Sequence, residues 1–297
     1  MKAKENYISG TKGSYLHIMS WHPDSEPSAV VQILHGMAEH GKRYEDFAKF
    51  LSQNGYAVYT HDHRKHGKSI RNDQKVGIFD ENDSWENVID DVQIVNDFIK
   101  MKEKNKNVII LGHSMGSIIC RRYIQEYGQN VEAAIIMGTA PDQPLKCFAG
   151  KALGSIVNRI NAKGTRSVFL DKLAVGGFNK QFNPARTSSD WLSTDNEQVD
   201  RFIADNICGL PYSAEFYVQF SRGVKACNKK ANILKTPHFP ILFISGSRDP
   251  VGHNGKGVKK VYETYASMGY KNNISMKLVP NARHEVLNEI NKEEVYQ

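Results

Sequence analysis

The sequence predicts an α/β fold, a mostly parallel, doubly wound sheet carrying an inserted helical segment. Three observations lead there. Apolar, β-branched runs of strand length recur along the chain, and each leads into a stretch of helical spacing or a polar loop. One of them, Val108-Ile109-Ile110-Leu111, passes through Gly112-His113-Ser114-Met115-Gly116 into helical spacing at Ile118, Ile119, Arg122 and Tyr123. The strand rhythm then breaks between about residues 141 and 211 and resumes beyond them.

In order along the chain, residues 14–20 alternate loosely and predict an early, half-exposed strand, followed by a polar turn from Pro23 to Pro27. Ala29 to Leu34 reads as a buried strand ending in His35-Gly36-Met37. Tyr44, Phe47, Phe50 and Leu51 keep helical spacing until Asn54-Gly55, and Tyr56 to Thr60 is the next strand. Trp85 to Lys100 places Val88, Ile89, Val92, Val95 and Phe98 on one helix face, and Val131 to Met137 is a strand. Within 141–211, Leu153, Ile156, Val157 and Ile160 share a helical face, and Trp191 is expected to be exposed or packed locally. This stretch reads as a helical cap over a core formed by 1–140 and 212–297. The core resumes with a helix around Ala214 to Val224 and a buried strand from Pro240 to Ser245. A helix from Lys256 to Met268 and a last strand from Ile274 to Val279 complete it.

Bulk properties narrow the function. The 297 residues carry a formal net charge of +7 that is spread rather than run together, which speaks against a nucleic-acid footprint and leaves at most peripheral contact with anionic lipid. Cys120, Cys147, Cys208 and Cys227 show no metal or disulfide spacing. The run His61-x-His63-x-x-His66 has metal-ligand spacing, but Lys65 would repel a cation, so a polar loop is expected, with Asp62 and Arg64 satisfying buried backbone groups. Neither a metal nor an organic cofactor is called for. Met1 to Asn6 lacks an apolar leader and no run reaches membrane-spanning length, so a cytoplasmic protein is expected.

The chemistry centres on Gly112-x-Ser114-x-Gly116, a strand–turn–helix that pushes a serine Oγ out at the carboxyl edge of the sheet. The amide of Met115 at the helix start and that of Met37 after His35-Gly36 can stabilise an oxyanion. Serine needs a base, and His284, after the last strand, is the candidate, oriented by Asp249 at the end of the preceding strand. Asp142 is an alternative acid and His253 a fallback base. His113 is expected to point away, His238 lies at the wrong end of its strand, and His35 is expected to be structural.

His35-Gly36-Met37-Ala38-Glu39-His40 with Arg43-Tyr44, Asp62-His63-Arg64-x-His66-Gly67-x-Ser69, Gly112-His113-Ser114-Met115-Gly116, Ser247-Arg248-Asp249-Pro250-Val251-Gly252 and Arg283-His284-Glu285 together resemble the monoacylglycerol lipase and lysophospholipase group of serine α/β-hydrolases, a serine aminopeptidase-like group. The resemblance implies the α/β-hydrolase fold and a Ser114, Asp249, His284 triad with oxyanion amides at Met37 and Met115. It also implies polar residues Glu39 and Arg43 near the alcohol side of the site. The implied substrate is a small-molecule acyl ester of a single-chain lipid, cleaved through an acyl-enzyme. A thioesterase, amidase or peptidase on the same triad, or a silent small-ligand binder, is the alternative. The sequence departs from the group's pattern at Lys65 and at Asn281-Ala282, where glycines are usual, and it ends at Gln297 within the expected last helix.

Overall fold

A computed structural model describes residues 2–70, 75–142, 152–158 and 164–297. Eight strands build one sheet: β1 (Lys4–Ser9), β2 (Tyr15–Trp21), β3 (Ala29–Leu34), β4 (Tyr56–His61), β5 (Val108–His113), β6 (Ala133–Met137), β7 (Ile241–Gly246) and β8 (Ile274–Val279). Their order is β1-β2-β4-β3-β5-β6-β7-β8. Strands β3 to β8 pair in parallel, whereas β1 and β2 run antiparallel at one edge.

The apolar runs explain the double winding. Val30 and Leu34 of β3 face one apolar cluster, while Val31 and Ile33 face the other. The first cluster is closed by the helices Trp85–Lys102 and Met115–Tyr127, and the second by the helix Glu45–Gln53. Ser84 caps Trp85–Lys102 by accepting from the Asn87 amide, and the Asn87 side-chain oxygen accepts in return from the Ser84 amide. The chain leaves β3 toward β4 on one side and comes back to β5 on the other. The ends of β3 and β5 therefore flank the point where the winding reverses, a natural crevice for a ligand.

Two features differ from the sequence reading. Strand β1 was not foreseen, because Lys4, Glu5 and Asn6 lack the apolar signature of an interior strand and are tolerated only at an edge. Strand β2 is buried beyond Tyr15 rather than half-exposed, since it lies between β1 and β4 with both faces covered. Between β6 and β7 the described residues hold helices at 152–158, Val168–Val175, Asn196–Ala204 and Ala214–Asn228, together with one isolated β-bridge, Arg166 to Ser213. Leu153 and Val157 pack on the core, whereas Ile156 is exposed, so the expected common face is split; Ile160 lies outside the described residues. Among the described residues no helix is long and apolar enough to cross a membrane.

Candidate active site

The serine turn is built by steric exclusion. A Cβ at Gly112 would strike the carbonyl of Gly116, and one at Gly116 would strike the carbonyl of Leu34 in β3. Only glycines let the helix Met115–Tyr127 start so close to β3 and β5. Ser114 between them has φ 54° and ψ −119°, a conformation that costs of order 1–3 kcal/mol and persists only because its surroundings hold it. Its amide donates to Met137 O of β6 (2.9 Å), and its carbonyl accepts from the Ser117 amide (2.9 Å) and hydroxyl (2.6 Å). Met115 opens the helix, so its amide has no intrahelical acceptor.

His284 stands beside this turn. Its Nδ1 bonds Asp249 Oδ1 at 3.0 Å, which leaves Nε2 buried with no hydrogen-bond partner among the described residues. Asp249 is fully buried and also accepts from Ser245 Oγ (3.0 Å) and the Val251 amide (2.8 Å). Burial opposes its ionisation, but the facing imidazole and these donors hold its pKa below the usual carboxylate value. Gly138, at φ 59°, brings the end of β6 so close that a Cβ there would sit 3.1 Å from the His284 ring. Asp142 is exposed, away from this arrangement, and His238 is exposed against Tyr270. His253 is exposed at the rim.

The loop after β3 is locked from below. Glu39 Oε1 accepts from the Gly36 amide (2.5 Å) and from Tyr44 Oη (2.9 Å), and lies 3.3 Å from His113 Nδ1. Arg43 bridges Glu39 (2.7 Å) and Glu285 (2.6 and 2.7 Å). Burial opposes the charge on each carboxylate, yet Arg43 outweighs it and both pKa values fall, Glu39 the more so with His113 on its other side. Burial likewise disfavours a charged His113, but Glu39 holds its pKa above the ordinary histidine value. The result is a chain of alternating charge tying the loop at 36–39 to the loop at 284–285. Glu39 reaches the cavity wall, while Arg43 lies behind it with its guanidinium committed to the two carboxylates. His113 does not simply point away: its ring lies 4.6 Å from that of His284.

The loop after β4 is partly as expected. Asp62 accepts the amides of Gly41 and Lys68, both at 2.8 Å, and Arg64 donates to the carbonyl of Thr11 (3.1 Å) but also to the carboxylates of Asp83 (3.0 Å) and Asp91 (2.7 Å). His35, His61, His63 and His66 are buried together, with the His63 amide donating to His35 Nε2 at 2.9 Å. Lys65 and Asn281, where glycine is usual in the resembling group, both adopt left-handed backbone, at φ 60° and 59°. The one set of metal-type ligands close enough to share a cation among the described residues is elsewhere: His40, Asp205 and Cys208. There His40 and Asp205 already bond each other at 2.9 Å. Cys147 lies outside the described residues.

Ser114, His284, Gly36, Met37 and Met115 line one cavity of about 590 Å³. Its other walls are largely apolar: Leu170, Leu173, Val175, Phe178, Trp191, Phe202, Tyr217, Phe220 and Val224. Trp191 was missed as a site residue because no motif surrounds it. Ser245, near the end of β7, and Gly138, just after β6, carry no motif of their own either.

This geometry agrees with the comparisons to known proteins. The chain is 27% identical over 293 residues to the monoglyceride lipase of Rattus norvegicus, covering 96% of this chain and 88% of that one. It is 26% identical over 297 residues to the monoacylglycerol lipase of Mycolicibacterium smegmatis, covering 96% and 91%. Among solved structures it superposes on a thermostable carboxyl esterase from Bacillus coagulans, in complex with glycerol, with a TM-score of 0.90 at 24% identity, covering 100% and 96% of the two chains. A soluble variant of monoglyceride lipase from Saccharomyces cerevisiae, in complex with a substrate analogue, gives 0.75 at 18%, covering 100% and 93%. The fold is thus that of the α/β-hydrolases, and because the model of the serine aminopeptidase, S33, family matches residues 25–291, the chain belongs to that family.

Proposed function

We propose that this ester hydrolase cleaves esters of single-chain lipids, such as monoacylglycerols or lysophospholipids, with Ser114 as nucleophile, His284 as base and Asp249 as its orienting acid. The observation that carries the reading is His284, whose Nδ1 is held by a buried carboxylate while Nε2 is left without a partner beside the strained serine. Ser114 Oγ attacks the ester carbonyl as its proton passes to Nε2. The amides of Met37 and Met115 receive the oxyanion. The tetrahedral intermediate expels the alcohol, which takes the proton from His284, and leaves an acyl-serine. A water activated by the same imidazole then releases the fatty acid.

Residues 141–211 act in this reading as a cap over the strand ends. The acyl chain lies along the apolar wall formed by Leu170, Leu173 and Val175, which line the cavity, not along Ile156, which is not among its lining residues. Each buried methylene contributes about 0.8 kcal/mol, so two raise affinity by about tenfold. The test is an ester series from acetate to octanoate, run alongside fluorophosphonate labelling. We expect kcat/KM to rise with chain length, Leu173→Asp to flatten that rise while sparing acetate, and Ser114→Ala to abolish labelling. A profile peaking at acetate, or faster cleavage of aminoacyl anilides, would overturn the lipid assignment. Labelling that survives Ser114→Ala would overturn the mechanism.

A further inference from the structure

We infer that Trp191 is a positioning residue for His284, delivered by a strap, residues 190–194, that is hydrogen-bonded along the loop carrying the base. This rests on the triad proposed above and deepens it. Four consecutive strap carbonyls accept from three consecutive residues of that loop. Arg283 Nη1 donates to Asp190 O and, at 3.0 Å, to Ser193 O; the His284 amide donates to Trp191 O at 3.4 Å; the Glu285 amide donates to Leu192 O at 2.7 Å. Ser193 Oγ continues the seam to Asn288 O at 2.7 Å, and Glu289 joins the two segments by accepting from the Thr194 amide (2.9 Å) and the Arg283 amide (2.5 Å).

The strap itself is fixed at its upstream end. The Asp190 carboxylate accepts the amides of Arg186 (2.6 Å) and Thr187 (3.1 Å), and the Trp191 amide donates to Asn179 Oδ1 at 2.9 Å. From this base the indole reaches back to lie 5.1 Å from the His284 ring, inclined by 35°. Phe178 backs the indole at 5.0 Å. The imidazole is therefore bounded by Trp191 and His113, pinned at Nδ1 by Asp249, and free only at Nε2. A residue that merely lined the cavity would need none of this seam. The indole fixes the ring's tilt toward Ser114, keeps water from its face, and offers a π surface to the imidazolium that forms when the serine proton is taken up.

Trp191→Leu and Trp191→Phe separate positioning from simple wall contact. With a monoacylglycerol substrate, Trp191→Leu is expected to lower kcat about tenfold with KM changed much less, and Trp191→Phe to restore most of kcat because a ring remains. The split between kcat and KM, and the rescue by a second aromatic ring, are readouts that a merely structural role for Trp191 would not move. A Trp191→Leu enzyme with unchanged kcat and a raised KM, or a Trp191→Phe enzyme as impaired in kcat as Trp191→Leu, would overturn the inference. Full esterase activity in His284→Gln would instead remove the triad on which it rests.

Discussion

His35, His61, His63 and His66 crowd behind the ends of β3 and β4, while His113 and His284 meet beside the ends of β5 and β6, so the molecule sets one residue type in two environments. In the first group burial dominates. It lowers the pKa of His35 to about 3 and those of His61 and His66 to about 4, and it pushes His63 well down. These rings bond chiefly to one another and to backbone, as where His63 Nδ1 meets His61 Nε2 at 3.1 Å. In the second group each ring has a carboxylate on one nitrogen, Glu39 for His113 and Asp249 for His284. Burial alone makes a histidine inert. Of the second pair only His284 combines burial and a carboxylate on one nitrogen with no partner on the other among the described residues, since His113 Nε2 meets His284 O at 3.2 Å. In the reading proposed above, that open nitrogen is the one that takes the proton.

The largest test of that contrast is to remove the carboxylate. Asp249→Asn should cut turnover by about 10⁴ with little effect on folding, because the imidazole is then held in the wrong tautomer. Asp142→Asn, at an exposed site, should leave rates near wild type. The reverse ranking would move the acid to the end of β6.

The next test concerns the inert group. Its pKa values are lower in the folded chain than the unfolded value near 6.5, so below that pH the unfolded state binds protons first. Stability is then lost as pH falls from about 6.5 toward 4, at about 1.4 kcal/mol per pH unit for each such histidine. Denaturant midpoints measured between pH 7 and 4.5 should drop steeply. A flat series would mean that these rings charge within the native fold, and the distinction between the two groups would collapse.

The smallest effect is expected at Lys65, in the turn that carries His63 and His66. Glycine would relieve its left-handed backbone but free the unfolded chain and give up a loose contact with Asp83 at 3.9 Å. Lys65→Gly should therefore shift stability by less than about 1 kcal/mol and leave kcat unchanged. A larger loss would show that the ammonium helps hold the inert cluster in place.

What the sequence disclosed follows from the range over which each signal acts. The serine turn, the parallel strands and the Asp249–His284 pair announce themselves within a few residues, because glycine spacing and β-branched runs are local. Strand β1 escaped because an edge strand needs no apolar run. The face predicted around Leu153 held for Leu153 and Val157 and failed at Ile156, because helical spacing says which residues align, not which of them meet the core. Arg43 was placed near the substrate by resemblance, while its partner Glu285 lies 242 positions away and carries no local sign of the pairing. Trp191 escaped for the same reason, since its meaning lies in a seam with residues 283–289.

That seam bears on how freely the segment between β6 and β7 can be exchanged. Such an insertion looks like a detachable module, suited to grafting when a different acyl chamber is wanted. Here its descending limb is woven into the loop that carries the imidazole, and it closes that loop's backbone bonds. A graft that redesigns the cavity wall but omits residues 190–194 would leave the amides of His284 and Glu285 without acceptors and the His284 imidazole without its flanking ring. The strap at 190–194 and the placing of the His284 ring are inherited as one unit, and a joint for exchanging the rest of the segment falls upstream of Asp190.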